Sequence, residues 1–244
     1  MSVFRRTFDR FFSLLSARRR AERKLLDPSA AAFEFSTDSR MRQACAEVVK
    51  LQAPDWALEE YAARGLPSQP NVISSGYYKR LLGEYLVAAR FAAGRRTLDC
   101  SCGLGWGAYL VSLKARSLFA CDTDLRAVHF AKEHWVRPNL HFLAADPVMP
   151  CFPAGAFETV LAFWTVERCP RKNLERLVAS IARWLAPDGV LVGVTHFIHG
   201  GGRQVAAGTR TGTFLTTDQL RSLLNPFFRD FDALDLRIFK ARKR

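Results

Sequence analysis

The chain has no Cys-x-x-Cys pair, no histidine set at metal-ligand spacing and no long apolar run. Its six cysteines (Cys45, Cys100, Cys102, Cys121, Cys151 and Cys169) are scattered. Neither a zinc site nor a disulfide framework is therefore expected, and free thiols of this kind suit a reducing, cytoplasmic compartment. A membrane-crossing helix takes roughly 18 consecutive apolar residues, and no stretch approaches that. Charges near the N-terminus break every apolar run before a secretory h-region can form. Acid is scarce at both ends. Residues 1–24 hold eight Lys/Arg against two Asp/Glu, and residues 235–244 hold five against one. Of the formal net charge of +13, only +3 is left for 25–234. The first 20 residues, Arg-rich with Asp9 as the only acid, are also compatible with a transit peptide.

What is present fits one α/β domain with an N-terminal extension: 244 residues, 49% of them hydrophobic, enough for a sizeable core. The basic ends suit an acidic partner, anionic lipid or nucleic acid, with solvated tails as the competing reading. Within residues 4–26, Phe4, Phe8, Phe11, Phe12 and Leu15 share one face at helical spacing, with Arg5, Arg6, Arg10 and Arg18 on or near the others. Such a helix either lies peripherally on an anionic membrane or packs on the domain with its phenylalanines in the core. Asp27-Pro28 is expected to end it, because the residue before proline disfavours helical angles. The chain divides into a basic amphipathic extension (1–28), a helical lead-in covering the cofactor and substrate site (29–94) and a cofactor-binding domain (95–244).

In the lead-in, a helix is expected over 38–51, loops around Pro54, Gly65, Pro67 and Pro70, and a helix over 75–93. From Arg95, strands near 96–100, 117–121, 140–143, 158–163 and 190–196 alternate with helices near 106–114, 124–134 and 171–185. That alternation predicts a doubly wound, mostly parallel, Rossmann-like sheet. The Gly-rich stretch 199–213 reads as a loop. Thr216 or Thr217 is a candidate cap for a helix through Leu224, and 228–240 reads as one or two closing strands.

The chemistry concentrates where the first strand meets the first crossover helix, in Thr97-Leu98-Asp99-Cys100-Ser101-Cys102-Gly103-Leu104-Gly105-Trp106-Gly107. Glycines there allow a sharp turn and bring main-chain N–H groups close to a cofactor. Gly-x-Gly-x-Gly alone says little; the acids around it say more. Asp122 ends the second strand, 23 residues after Asp99, where a carboxylate can accept both ribose hydroxyls of an adenosyl group. Asp146 follows the third strand and is placed to accept from an adenine amino group. Three acids at successive strand ends are hard to reconcile with chance surface or capping roles.

On these residues the chain resembles the class I S-adenosylmethionine (SAM)-dependent methyltransferases, in particular the type 11-like branch. LDCSCGLGWG is similar to the family's glycine motif. DPVMPCFPAGAFETV is similar to its D-x-x-x-L-P-F-P-D-G-S-F-D-x-V stretch, and LERLVASIARWLAPDGVLVGV to its helix, L-x-P-G-G turn and fifth strand. The resemblance covers 95–197 and implies a class I methyltransferase sheet with SAM as cofactor. It implies Asp99, Ser101, Gly103, Leu104 and Gly105 around the methionine part, Asp122 on the ribose, Thr123 flanking the adenine, and Asp146 with Pro147 at its edge. Phe163 and Trp164 would wall off the sulfonium. Four departures stand out. Ser101 replaces the usual first glycine, so its backbone must avoid left-handed angles or binding is weakened. Glu158 replaces the common Asp. Glu167-Arg168 stands where Glu-His is frequent, removing one candidate base. The chain after Asn225 looks short for a full closing hairpin.

Methyl transfer from SAM is an in-line displacement, for which positioning and a desolvated pocket supply much of the rate. A hydroxyl acceptor also needs a base, and His196, His199 and Glu167 are the candidates. Cys100 and Cys102 read as small core residues. The stretch Phe163-Trp164-Thr165-Val166 lacks the Asn/Asp-Pro-Pro-aromatic signature of base-amine methylation, so an rRNA or tRNA acceptor rests on charge alone. The expected function is methyl transfer to a small-molecule, lipid or glycan acceptor. A nucleic-acid methyltransferase, or a non-catalytic SAM-fold scaffold at the membrane, are the alternatives.

Overall fold

The structure, a computed structural model, describes residues 26–63, 76–195, 213–234 and 238–244. The proposed helix over 4–26 and the Gly-rich loop 199–213, with His196 and His199, fall outside the described residues or almost so. Leu26 is the first described residue and is fully buried.

The lead-in is more helical than its sequence suggests. Asp27-Pro28 opens a helix, α1 (Pro28–Phe35). The Asp27 carboxylate accepts from the Ser29 N–H at 2.8 Å, and Pro28 occupies the first turn, where its missing N–H costs nothing. The helix that this dipeptide is expected to end lies outside the described residues. Helix α2 (Ser39–Val49) is capped in the same way by Asp38, whose carboxylate also pairs with Lys114 at 2.5 Å. The stretch after Pro54, expected to be loop, contains α3 (Asp55–Ala63); the Pro54 carbonyl accepts from the N–H groups of Ala57 and Leu58. Helix α4 (Gly76–Ala92) then leads into the sheet.

Seven strands follow: β1 (Arg96–Asp99), β2 (Ser117–Asp122), β3 (Leu140–Ala144), β4 (Phe157–Phe163), β5 (Leu185–Val194), β6 (Phe228–Leu234) and β7 (Ile238–Lys243). Their order is β3-β2-β1-β4-β5-β7-β6. The first five are parallel, and β7 lies antiparallel between β5 and β6. The crossovers carry α5 (Trp106–Ser112), α6 (Leu125–His134), α7 (Thr165–Arg168) and α8 (Leu174–Trp184), and α9 (Thr217–Leu224) precedes the hairpin. Thr216 and Gln219 form a capping box at the start of α9. Both closing strands form and pair antiparallel, so the residues after Asn225 suffice for both. They do so because β6 follows α9 after three residues and its antiparallel partner needs no crossover.

Each face of the sheet is covered. Helices α1, α2, α4, α5 and α6 pack on one side around Leu86, Leu110, Leu118 and Phe163. Helices α8 and α9 pack on the other around Leu98, Val160, Ile181 and Trp184. This two-sided burial explains why β4 and β5 carry the apolar runs Val160–Phe163 and Val190–Val194. Strand order reverses at β1: β2 and β3 lie on one side of it, β4 and β5 on the other. In such sheets ligands sit in the crevice at the carboxyl ends beside that reversal.

Candidate functional site

The glycine segment crosses the carboxyl end of β1 and is tied down on both sides. The Cys100 N–H donates to the Leu161 carbonyl of β4 at 2.9 Å, and the Cys102 N–H to the Cys121 carbonyl of β2 at 3.0 Å. The turn closes with the Gly105 N–H on the Cys102 carbonyl at 3.0 Å. Gly103 and Gly105 have φ of +52° and +81°, a region that penalises any side chain. They differ in surroundings. A Cβ on Gly105 would strike Ala131 and the Phe142 ring, whereas one on Gly103 would meet nothing within 4 Å. Gly105 therefore lets the segment pack, and Gly103 faces open space. Ser101 is not among the described non-glycine residues with positive φ, so its Cβ carries no left-handed strain. Cys100 and Cys102 are buried core residues. Leu104 is also buried, and its carbonyl accepts from the Trp135 indole N–H at 2.8 Å.

Two carboxylates stand at neighbouring strand ends. Asp99, the last residue of β1, is fully buried. Its Oδ1 accepts from the Ser101 N–H at 3.4 Å, and its Oδ2 is buried with no hydrogen-bond partner among the described residues. Burial, with a smaller contribution from the Asp122 charge, raises its pKa to about 7. Asp122, the last residue of β2, accepts from the Gly103 N–H at Oδ2 (2.9 Å) and from the Asp124 N–H at Oδ1 (3.1 Å). An ion pair with Arg168 completes its surroundings, Nη1 to Oδ2 at 3.5 Å. A buried carboxylate oxygen with no donor fits a cationic amine, and a half-satisfied carboxylate beside it fits a diol.

Around this pair, Asp146 is exposed and its Oδ1 accepts from the Val148 N–H at 2.9 Å. Pro147 is buried and Thr123 exposed. The Ala145 N–H donates to the Asp122 carbonyl at 3.1 Å, which fixes the Asp146 turn against the end of β2. Phe163, buried at the end of β4, meets Tyr85 of α4 at a centroid distance of 4.7 Å, and Tyr85 meets Trp106 at 4.8 Å. Trp164 adopts φ +60° and its N–H donates to the Val194 carbonyl at 2.9 Å. Glu167 follows on α7, half-buried. Glu158 sits at the opposite end of the sheet, accepting from the Arg96 N–H at 3.0 Å and pairing with Arg116 at 2.7 Å, so its replacement of Asp is structural.

The structure thus brings Asp99, Ser101, Gly103 and Asp122 together. Sequence reading missed Tyr85, Trp135 and the reach of Arg168. The first two lie in α4 and just after α6 and look like ordinary core residues in one dimension. Arg168 was visible only as a missing histidine.

Comparison with known proteins agrees with this geometry. A methyltransferase-domain family matches residues 98–193. A probable S-adenosylmethionine-dependent methyltransferase of Mycobacterium tuberculosis is 27% identical over 154 residues, covering 62% of this chain and 55% of the relative. The chain therefore spans about half the length of the curated relatives it matches. Among solved structures, an S-adenosylmethionine-dependent methyltransferase from Mesorhizobium loti shares the fold with a TM-score of 0.53 at 15% identity, over 64% of this chain and 96% of that one. A protein from Pyrococcus horikoshii gives 0.57 at 14% identity, over 70% and 93%. Residues 98–193 are thus similar to a methyltransferase domain, and the chain shares its fold with an S-adenosylmethionine-dependent methyltransferase.

Proposed function

We propose that the protein binds SAM across the carboxyl ends of β1 and β2 and transfers its methyl group to a small-molecule, lipid or glycan acceptor. The observation that carries the cofactor reading is the buried Asp99 Oδ2, without a donor, beside the open side of Gly103. Bound SAM supplies an electrophilic methyl group on a sulfonium. Asp99 would hold the ammonium end, Asp122 the ribose hydroxyls, and the Asp146–Pro147 turn the adenine edge. Phe163 and the Tyr85–Trp106 pair would exclude water from the neighbouring space, and a dry, preorganised cleft favours loss of the sulfonium charge. The acceptor class is supported by the type 11-like motifs and by the absence of a base-amine signature after β4. Glu167 on α7, and His196 beyond the end of β5, are the candidate bases.

The test is calorimetry with SAM and S-adenosylhomocysteine on the wild-type chain and Asp122→Ala, followed by methyl-labelled SAM with cell extracts. Losing a charged acceptor should weaken cofactor binding by roughly 1.5–3 kcal/mol. Unchanged affinity in a folded variant would remove Asp122 from the site, and binding without label transfer would favour the scaffold reading.

A further inference from the structure

We propose that Arg168 is a specificity-determining residue that sets cofactor affinity by competing with the ribose hydroxyls for Asp122. The inference rests on the SAM-binding reading above and extends it to a residue outside the shared motifs. Arg168 ends α7, the short helix that follows β4, and Asp122 lies at the end of β2. Those strands flank β1 on opposite sides, so a side chain joining them must cross the carboxyl end of β1. That is where the glycine segment turns and where a cofactor has to lie. The guanidinium also stands near enough to Asp99 to lower its pKa, so it faces both acids of the cleft.

The lone pairs of Asp122 make the competition specific. An ionised carboxylate offers about four acceptor positions. The Gly103 and Asp124 N–H groups hold one on each oxygen, and both belong to the backbone of the site itself. About two remain, the number a ribose diol needs, and the guanidinium approaches one of them at 3.5 Å. The contact is breakable: the Arg168 side chain is 37% exposed whereas that of Asp122 is 8% exposed. Ribose binding therefore displaces Arg168, and the free energy of that half-exposed ion pair is subtracted from cofactor affinity. Removing the guanidinium should tighten binding, the reverse of what loss of a ligand contact would do.

The experiment titrates the full-length wild-type, Arg168→Gln and Asp122→Ala chains with 5′-methylthioadenosine, a neutral ligand that keeps the ribose and lacks both charged ends. Half-exposed ion pairs are worth up to about 1 kcal/mol, so Arg168→Gln should bind it up to about fivefold more tightly. Raising salt screens the ion pair but not a neutral ligand. Wild-type affinity should therefore rise with salt while that of Arg168→Gln stays flat. Equal or weaker binding by a folded Arg168→Gln chain overturns the competition. Should that variant melt early, a salt-independent wild-type affinity overturns it equally. Failure of the wild-type chain to bind either this nucleoside or S-adenosylhomocysteine would instead defeat the cofactor reading itself, and this inference with it.

Discussion

Replacing Asp99 by Asn should stabilise the protein, and do so more at high pH than at low. The carboxyl is fully buried, and its pKa is raised from 3.8 to about 7. The folded chain therefore favours the protonated form, and the unfolded chain ionises first. A group raised in this way costs nothing below about pH 4 and costs progressively more as pH rises to about 7. By proton linkage, the cost is about 1–2 kcal/mol at pH 5 and about 4 kcal/mol at pH 8, a difference of roughly 2–3 kcal/mol. Asn keeps the acceptor for the Ser101 N–H and cannot ionise. All other groups titrate alike in the two proteins and cancel in the comparison. Urea denaturation of both chains at pH 5 and pH 8 measures the difference directly. An advantage for Asp99→Asn that is the same at both values, or a loss at both, would refute the buried-carboxyl argument. Binding should move the other way. An ammonium-bearing ligand selects ionised Asp99, so S-adenosylhomocysteine affinity should climb towards pH 7 with release of a proton. That dependence should vanish in Asp99→Asn.

Two further outcomes follow from the packing and the charge distribution. A Cβ on Gly107 would lie 2.1 Å from the Tyr85 ring, which is itself held between Trp106 and Phe163. Gly107→Ala should therefore lose about 1–3 kcal/mol by overpacking, visible as a melting temperature lowered by several degrees. Should Phe4, Phe8, Phe11 and Phe12 insert into the headgroup boundary, Phe8→Asp with Phe11→Asp would abolish sedimentation with anionic liposomes at low salt and leave S-adenosylhomocysteine affinity unchanged. A lowered melting temperature in that double variant would assign these phenylalanines to the core.

The alternating half of the fold was legible because its signals are local. Period, strand length and turn residues mark β1 to β4 and the helices α5 and α6 within two residues, whereas β5 begins five residues before the expected 190 and α8 three after the expected 171; Asp99 and Asp122 are recognisable from their places at strand ends. The lead-in was less legible. Asp27-Pro28 is equally good grammar for ending one helix and for starting the next, since Pro is excluded from helix interiors and favoured at the first turn. Pro54, read as loop punctuation, instead stands directly before the helix Asp55–Ala63. The closing hairpin was misjudged on length alone, although an antiparallel strand pair needs only a few connecting residues.

Arg168 shows where local reading stops. As one letter beside Glu167, it registers only as a residue that cannot act as a base. Its consequence arises from sheet order, which sets β2 and β4 on either side of β1 and brings the guanidinium at the end of α7, just after β4, to the carboxylate that ends β2. The free energy at stake is small on the scale of folding and large on the scale of affinity, where each 1.4 kcal/mol is tenfold. A substitution neutral for stability can therefore set the cofactor concentration at which the site fills. The Asp99 carboxyl works in the opposite sense, costing stability in the empty protein while supplying the counter-charge that a cationic ligand requires. On the proposed reading, cofactor affinity in this cleft would be the balance of two buried acids against one partly exposed cation.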